Sequence, residues 1–420
     1  MILSRLTLVM QLIAGNGRTT MARDIDVAVV GGGPAGMATA LSFIKAGFQV
    51  KVYERYKYAR PAGNILNLWP PPIHALRSMG VDVKDIGAPC HSTFRNAAGK
   101  LRADVKLPQD IIDQYGGGFV GLLRPDLYKR MLAALPEGVV EFDSEVQAIE
   151  DCNDHVKITF SSGRLVRAGI LIGADGIDSF VRSHLWGSTP KRNHDLHTIA
   201  GFTFAKPANA ELNECVLSHN RYVQGTYSGI LSDGRKGFQW WVLEAWPDSK
   251  PAPENLSQHA LELARGFQGP LLDLVKATPK ENLTRWPIRD RVPLKKWSKG
   301  RISLAGDAAH ATSPYAAYGA GMSICDGYFL GQRFHKVDLD DSLAVAKAFD
   351  EYEAAQLAHT TSQVNHAYFL GRLFHHIAFP LTVLRDLVLD WTPFLQRQAG
   401  DRNPQDIIAQ LKLMGPGIVA

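Results

Sequence analysis

Three glycines and one carboxylate near the start of the chain have the spacing of a nucleotide-binding site. The first strand-like segment is followed by a G-x-G-x-x-G pattern made by Gly31, Gly33, Pro34, Ala35 and Gly36. Without side chains the backbone can turn sharply and approach a pyrophosphate, which then lies at the N-terminus of the next helix. Glu54 follows at about the 20-residue distance at which a carboxylate binds ribose hydroxyls. The pattern predicts a dinucleotide site.

Two further aspartates follow apolar segments. Asp307 comes after Gly306 at the end of an apolar run, and Asp175 precedes Gly176 at the end of another. A carboxylate at the carboxyl end of a strand points into the crevice where doubly wound folds bind ligands. Asp307 is therefore a candidate acceptor for the hydroxyls of a cofactor. An Asp-Gly turn is by itself a common structural feature, so Asp175 supports the prediction only together with the other motifs.

The elements that would position these residues alternate between strand and helix. Residues Ile25–Val30 and Phe48–Tyr53 predict strands, and residues 35–46 between them predict a helix, which makes a βαβ unit with parallel strands. Residues 196–250 predict an antiparallel meander, with a hairpin turn at Asp233-Gly234. After residue 340 the pattern is helical almost to the end of the sequence.

Composition excludes several classes of function. The net charge of +5 is small for 420 residues, and no Lys/Arg block suggests nucleic-acid binding. The four cysteines are widely separated in sequence, which argues against a metal knuckle or a disulfide scaffold and favours a reducing, cytoplasmic location.

Two apolar segments are too short or too interrupted to be membrane elements. Leu6–Ala14 is shorter than the roughly 20 residues that cross a bilayer, and we expect an N-terminal tail there. Ile377–Leu384 contains Pro380, so we expect a buried terminal helix and no integral membrane segment.

Together the motifs resemble the flavoprotein aromatic hydroxylases, the single-component monooxygenases that include salicylate and 4-hydroxybenzoate hydroxylases. The likeness runs from about residue 24 to 375 and is greatest to the salicylate-hydroxylase-like branch, which includes hydroxylases of fungal secondary metabolism. It implies an α/β fold: a glutathione-reductase-type, FAD-binding Rossmann-like domain, an interleaved antiparallel β-sheet substrate domain, and C-terminal helices.

The domains implied by this resemblance alternate along the chain. The predicted segments are an N-terminal tail (1–23), the FAD domain in three parts (24–95, 121–190 and 285–338), a substrate-sheet insertion (96–120), the substrate domain (191–284) and a C-terminal helical region (339–420).

The resemblance also implies an FAD site. The glycine motif would bind the ADP half, Gly306-Asp307 the ribityl chain and pyrophosphate, and Asp175 would serve FAD and NAD(P)H. Arg124, in an Arg-Pro-Asp-Leu motif, matches an arginine that touches FAD in the family. The predicted contacts are Gly31, Gly33, Pro34, Ala35, Gly36, Glu54, Arg55, Arg124, Asp175, Gly306, Asp307, Pro314, Gly319, Ala320, Gly321 and Met322.

The segment 314–322, the flavin loop, leads into a helix whose positive end would stabilise an anionic reduced flavin. The sequence continues as Cys325-Asp326-Gly327, where relatives more often carry Glu-Asp-Ala. This departure puts the local hydrogen bonding in question more than flavin binding.

The family chemistry is reduction of FAD by NADH or NADPH, capture of O₂ as a C4a-hydroperoxide, and oxygen transfer to a small aromatic substrate. Pro314, His310 and Tyr222 are the catalytic candidates, although a structural hydrogen-bonding role for His310 is the alternative. The substrate-binding candidates are Tyr222, Tyr227, Trp240, His219 and Arg221. Strand alternation lets only one of Trp240 and Trp241 face the pocket, and aromatic residues on sheets most often belong to the core.

Other functions remain open at this stage. A flavin oxidase or reductase without oxygen insertion, or a non-enzymatic carrier on the same fold, would keep the same scaffold. The sequence leaves the substrate, the choice between NADH and NADPH, the catalytic base, decarboxylation and the oligomeric state undetermined.

Overall fold

The computed structural model describes residues 23–59, 65–115 and 117–416. Its strands are β1 (Ile25–Val30), β2 (Val50–Tyr53), β3 (Ile65–Leu68), β4 (Ala88–Asn96), β5 (Leu101–Asp104), β6 (Phe119–Leu123), β7 (Val140–Glu141), β8 (Val146–Asp151), β9 (Val156–Phe160), β10 (Leu165–Gly173), β11 (Arg192–Thr203), β12 (Glu214–His219), β13 (Val223–Ser232), β14 (Arg235–Ala245), β15 (Thr284–Asp290) and β16 (Ile302–Leu304).

The α-helices are α1 (Pro34–Lys45), α2 (Pro70–Ser78), α3 (Gln109–Tyr115), α4 (Arg124–Ala134), α5 (Phe180–Trp186), α6 (Leu256–Ala264), α7 (Leu271–Lys276), α8 (Asp307–His310), α9 (Gly319–Phe334), α10 (Ser342–His375), α11 (Leu381–Trp391) and α12 (Arg402–Met414). Short 3₁₀ turns lie at Lys280–Asn282 and Pro314–Ala316, and a π-helical turn covers Gln396–Asp401.

The first sheet carries the glycine motif. Strands β7, β2, β1 and β10 lie side by side, and β16 pairs with β10, all in parallel. The first half of β10 instead pairs with β9 in an antiparallel meander with β8. Because parallel strands end at one edge, the turns after β1, β10 and β16 converge there. These turns hold the glycine motif, Asp175 and Asp307.

The second sheet has nine strands in the order β15-β11-β14-β13-β12-β4-β6-β3, with β5 paired to β4. Its neighbouring strands are antiparallel except for the parallel pair β12 and β4. The hairpin of β13 and β14 turns at Asp233-Gly234, as the sequence predicted. The α/β fold with a largely antiparallel substrate sheet and C-terminal helices is confirmed.

Helix α9 crosses α1 at very short range. A Cβ added to Gly327 would lie 2.4 Å from the carbonyl carbon of Ala38, and one added to Gly331 would lie 2.4 Å from Cβ of Ser42. Gly327 and Gly331 therefore allow the two helix backbones to meet here. The contact fixes α9, and with it the flavin loop, against the helix that follows the glycine motif.

The C-terminal segment differs from its prediction in one respect. Residues Leu381–Trp391 form a helix, but Leu381, Leu384 and Trp391 are 58%, 59% and 76% exposed. The expectation of a buried terminal helix was therefore wrong for this face, because α11 turns Thr382, Arg385 and Leu389 inward. No helix among the described residues is long and apolar enough to cross a membrane. The segment Leu6–Ala14 lies outside the described residues.

Candidate active site

A cavity of about 430 Å³ lies where the carboxyl edge of the first sheet meets the second sheet. Its wall includes the β1–α1 turn, the start of α4, the β10–α5 turn, the flavin loop, and side chains from β3, β11, β14 and β15. This volume is in the range of small-molecule and cofactor sites.

The cavity brings together half of the predicted FAD contacts. Those on its wall are Gly33, Pro34, Ala35, Arg124, Asp307, Pro314, Gly319 and Ala320. The predicted contacts that do not line it are Gly31, Gly36, Glu54, Arg55, Asp175, Gly306, Gly321 and Met322. Several of the predicted contacts that do not line the cavity hold the lining residues in place.

Each of the three motif positions requires glycine for a different physical reason. Gly31 has a φ of +105°, and a Cβ there would lie 2.4 Å from the carbonyl oxygen of Ala174. At Gly36 a Cβ would lie 1.8 Å from the carbonyl oxygen of Gly31. At Gly33 a Cβ would meet no protein atom within 4 Å, because this position faces the cavity. Gly31 and Gly36 thus allow the fold, and Gly33 keeps the cavity free.

Glu54 braces the glycine turn. Its Oε2 accepts a hydrogen bond from the backbone N–H of Gly32 at 2.7 Å, and its Oε1 accepts from the N–H of Tyr56 at 3.0 Å. Each carboxylate oxygen has a second lone pair, so ribose binding is still compatible with these bonds. Arg55 is exposed, and its guanidinium lies over the Tyr56 ring.

Two helix N-termini point to the cavity without side-chain caps. Gly33 is the N-cap of α1 and Tyr318 is the N-cap of α9, and neither forms a side-chain capping hydrogen bond. The first N–H groups of a helix need an acceptor, and the helix dipole favours an anion or an electron-rich ring edge there. The site therefore fits a cofactor with a pyrophosphate and a flavin ring.

Asp307 lines the cavity, and its side chain is exposed there. Desolvation raises the pKa of its carboxyl above the ordinary aspartate value, although the charges of His310 and Arg124 act to lower it. A sugar hydroxyl that donates to this carboxylate would form a charge-assisted hydrogen bond. The placement fits the predicted contact with the cofactor's hydroxyl-bearing chain.

Asp326 and His310 form a buried pair behind the flavin loop. Oδ2 of Asp326 accepts from the N–H of Gly306 at 2.7 Å and lies 2.6 Å from Nε2 of His310. Burial alone would lower the pKa of His310, but Asp326 and Asp307 raise it above the ordinary histidine value. His310 does not line the cavity. Its geometry supports the structural alternative that the sequence left open.

Asp175 has a local role in the structure. Its carboxylate accepts hydrogen bonds from the hydroxyl of Ser179 and from the N–H groups of Phe180 and Val181, at 2.5, 2.7 and 3.2 Å. These bonds hold the start of α5 against the β10–α5 turn. The neighbouring Ala174 and Gly176 line the cavity, so Asp175 acts on it through the backbone.

The adjacent tryptophans of β14 lie on opposite faces of the sheet. Trp240 is fully buried against α6 and α7, and its Nε1 donates to Oγ1 of Thr278 at 2.8 Å. Trp241 lines the cavity. The structure therefore places Trp241, and not the predicted Trp240, on the cavity wall, because strand parity turns Trp240 into the core.

The other substrate candidates also lie away from the cavity wall. Tyr227 pairs with Trp240 across the strands, and its hydroxyl donates to Oε2 of Glu214 at 3.0 Å. His219 is buried and stacks on Phe374 at 3.7 Å, and burial lowers its pKa well below the usual value. Tyr222 and Arg221 are exposed on the turn before β13. The structure places none of these four on the cavity wall.

Sequence reasoning missed several wall residues. The side chains that it did not select include Ile65, Leu66, Asn67, Thr198, Trp286, Thr312, Ser313, Ala317, Tyr318 and Ser323. Trp286 lies in a segment that resembles the family, which was a usable signal. Asn67 was not detectable from its own segment, because a distant residue places it: Nε2 of Gln239 donates to Oδ1 of Asn67 at 2.9 Å.

Comparisons with known proteins agree with this site. A family model described as an FAD binding domain matches residues 24–367. The 3-amino-4-hydroxybenzoate 2-monooxygenase PtmB3 of Streptomyces platensis is 30% identical, over 86% of this chain and 91% of its own. The chain belongs to the FAD-dependent aromatic hydroxylases. The predicted family and FAD as the cofactor are thereby confirmed.

Further members of this family extend the likeness. The 6-hydroxynicotinate 3-monooxygenase of Bordetella bronchiseptica is 29% identical, over 81% of this chain and 90% of its own. Among solved structures, HpxO of Klebsiella pneumoniae, complexed with FAD and uric acid, has a TM-score of 0.80 at 22% identity, covering 94% of this chain and 98% of that one. A salicylate hydroxylase substrate complex has a TM-score of 0.69 at 20% identity, covering 94% and 99%. These two structures support the fold.

The flavin loop of this aromatic hydroxylase is tied to helix α10 through Tyr315. Burial lowers the pKa of His375 to about 3, so its ring is neutral. Nδ1 of His375 lies 2.8 Å from the carbonyl oxygen of Tyr222 and must donate to it. Nε2 is then the acceptor for the hydroxyl of Tyr315. The residue after Pro314 is thereby fixed in orientation.

Tyr318 and Cys325 show how this aromatic hydroxylase accommodates its departure from the family pattern. Both residues are buried, and the Tyr318 hydroxyl lies 3.9 Å from Sγ of Cys325. Burial raises the pKa of both groups well above their usual values, so both are neutral. A neutral contact therefore occupies the position next to Asp326, and the bonds from Asp326 to Gly306 and His310 are retained.

Proposed function

We propose that this aromatic hydroxylase uses NADH or NADPH and O₂ to hydroxylate a small phenolic ring. One observation carries the proposal: the same cavity joins the two uncapped helix N-termini and Asp307 to the indoles of Trp241 and Trp286. A planar substrate can therefore lie beside a planar cofactor. The relatives named as monooxygenases of 3-amino-4-hydroxybenzoate and 6-hydroxynicotinate support an aromatic substrate.

FAD, when bound, supplies the electron transfer and oxygen activation that amino-acid side chains lack. The chain's own part is to bind, orient and exclude water. The N-terminus of α1 would hold the pyrophosphate, and Asp307 would accept from the hydroxyl-bearing chain. The N-terminus of α9 would face the flavin ring, with Pro314 beside it. Trp241 and Trp286 would shield the reacting ring from solvent.

Oxygen insertion is the step to test. Purified holoenzyme would be incubated with NAD(P)H, ¹⁸O₂ and a panel of phenols, and product mass would be recorded. We expect one labelled oxygen atom in the product. Turnover that yields only unlabelled product and hydrogen peroxide would favour a flavin oxidase or reductase. A purified protein without flavin absorbance would contradict the assignment altogether.

We also propose a cytoplasmic location. The side chains of Cys90, Cys152, Cys215 and Cys325 are all free thiols. Unpaired cysteines are typical of a reducing compartment, and the cytoplasm supplies reduced nicotinamide cofactor. Localisation of a fluorescently tagged full-length chain would test this proposal, and a purely organellar signal would contradict it.

A further inference from the structure

The substrate side of the cavity is formed by one face of the second sheet, and the rows of side chains that border the cavity on this face are uncharged. Cross-strand pairing places side chains in rows, and alternate rows share a face. The rows running from His219 to Trp286, from Leu217 to Thr284 and from Cys215 to Phe202 carry no Asp, Glu, Lys or Arg. The one titratable ring among them, His219, is neutral because burial lowers its pKa well below the usual value.

The charges that the cavity does have lie on the cofactor side. Among the described wall residues, the side chains that carry charge are those of Arg124 and Asp307. These two residues interact electrostatically, and they flank the turns that would hold FAD. Among the described residues, no counter-charge lies on the sheet side of the wall. A carboxylate on a substrate stacked there would therefore be desolvated without a partner from these residues, which is costly.

Neutral hydrogen-bonding groups are available on the same wall. Thr198, which is 1% exposed, and Thr312 line the cavity, and neither hydroxyl has a hydrogen-bond partner among the residues that the structure describes. Rotation about the Cα–Cβ bond can bring a threonine's hydroxyl to the position that its methyl occupies, so either residue can present its hydroxyl to a ligand. A buried hydroxyl without a partner gains from a ligand that supplies one. Thr198 also stands directly beside Trp286 across the strands.

We propose that the substrate is an uncharged aromatic compound, a phenol without a carboxylate, held between Trp241 and Trp286 and hydrogen-bonded by Thr198. The inference rests on the proposed function and narrows its substrate class. It separates this protein from the relatives named for 3-amino-4-hydroxybenzoate and 6-hydroxynicotinate, whose substrates carry a carboxylate.

Matched pairs of neutral and charged probes test the inference on the holoenzyme. Each pair is a hydroxylated aromatic acid and its primary amide, such as 3-hydroxybenzoate and 3-hydroxybenzamide, with one-, two- and three-ring members. Binding is followed by the change in flavin absorbance, and turnover by NAD(P)H oxidation and product mass. We expect the amide of the best-fitting pair to bind at least about 10-fold more tightly than its acid.

The outcomes separate the two proposals. Equal or tighter binding of the acids, with oxygen inserted into them, would overturn the neutral-substrate inference and leave the hydroxylase function intact. If every probe fails to bind to or accelerate a holoenzyme with normal flavin absorbance, the proposed function fails, and the inference fails with it.

Variants of two threonines test whether the hydroxyl of Thr198 binds the substrate. Thr198→Val keeps the side-chain shape and should raise KM for the neutral phenol by about 3- to 10-fold, with flavin content unchanged. Thr226→Val is the matched control, because Thr226 is fully buried on the same sheet face with an unpartnered hydroxyl but does not line the cavity. Equal effects of the two variants would contradict the assignment. Thr198→Arg should shift the preference toward the acids.

Discussion

The two walls of the cavity are built by different means. The cofactor wall depends on backbone: glycines that allow close approaches, and two helix N-termini that offer N–H groups. The substrate wall depends on side chains, and strand register decides which of them face inward. A nucleotide cofactor has the same shape in every relative, so a backbone motif can serve it. A variable substrate requires a surface that changes with single side chains.

The comparison is sharpest at two pairs of neighbouring positions. Gly33 and Gly36 lie within one motif, yet one faces the cavity and the other a carbonyl group. Trp240 and Trp241 are adjacent in sequence, yet one is core and the other is wall. In each pair, one substitution should mainly damage the fold and the other should mainly damage ligand binding.

The largest effect is expected from Gly36→Val. The added Cβ would lie 1.8 Å from the carbonyl oxygen of Gly31, so the β1–α1 turn cannot keep its shape. We expect little folded holoenzyme. Gly33→Ala is the matched variant: its Cβ meets no protein atom within 4 Å, so the chain should fold but lose FAD affinity. Circular dichroism and flavin absorbance distinguish the two variants. Normal flavin absorbance in Gly36→Val would contradict the requirement for glycine in the β1–α1 turn.

Trp240→Ala and Trp241→Ala should separate stability from binding. Removing the fully buried Trp240 should cost about 3–5 kcal/mol of the free energy of unfolding. Trp241 is only partly buried, so its removal should cost less stability and should raise KM for the aromatic substrate. Urea unfolding and steady-state kinetics measure the two effects. A larger loss of stability in Trp241→Ala would show that the faces are assigned the wrong way round.

Asp307→Asn tests the charged contact of the cofactor wall. Loss of a charge-assisted hydrogen bond costs about 1.5–3 kcal/mol, which corresponds to roughly a 10- to 150-fold weaker binding of FAD. Flavin remaining after dialysis gives the measurement. Asp350→Asn, at an exposed position on α10, is the control. Unchanged FAD occupancy in Asp307→Asn would mean that the carboxylate does not contact the cofactor.

The smallest effect is a pH dependence of stability from His310. Because Asp326 raises its pKa in the folded state, the ion pair stabilises the protein fully below the unfolded value of about 6.5. This contribution disappears as pH rises through the higher folded pKa. His310→Gln cannot titrate, so the melting-temperature advantage of the wild type should shrink between pH 6 and about 9. A constant difference across that range would contradict a raised pKa.

Local residue patterns made most of the fold predictable. The β1–α1–β2 unit, the β13–β14 hairpin and the C-terminal helices each follow from spacing within one segment. The orientation of α11 did not, because its outward apolar face depends on how Arg385 binds the carbonyl oxygens of Phe374 and Arg221. The predicted domain boundaries stay predictions.

The sequence by itself determined much of the cofactor wall, because the close approach of Gly36 to Gly31 and the position of Asp307 at a strand end are local properties of the chain. Only the tertiary structure decided the substrate wall. Whether Trp240 or Trp241 faces inward, and whether Asn67 reaches the cavity, depends on pairing between strands far apart in sequence. Alternation within one strand places neighbouring side chains on opposite faces of the sheet. Packing of the sheet against other elements decides which of these faces becomes the core.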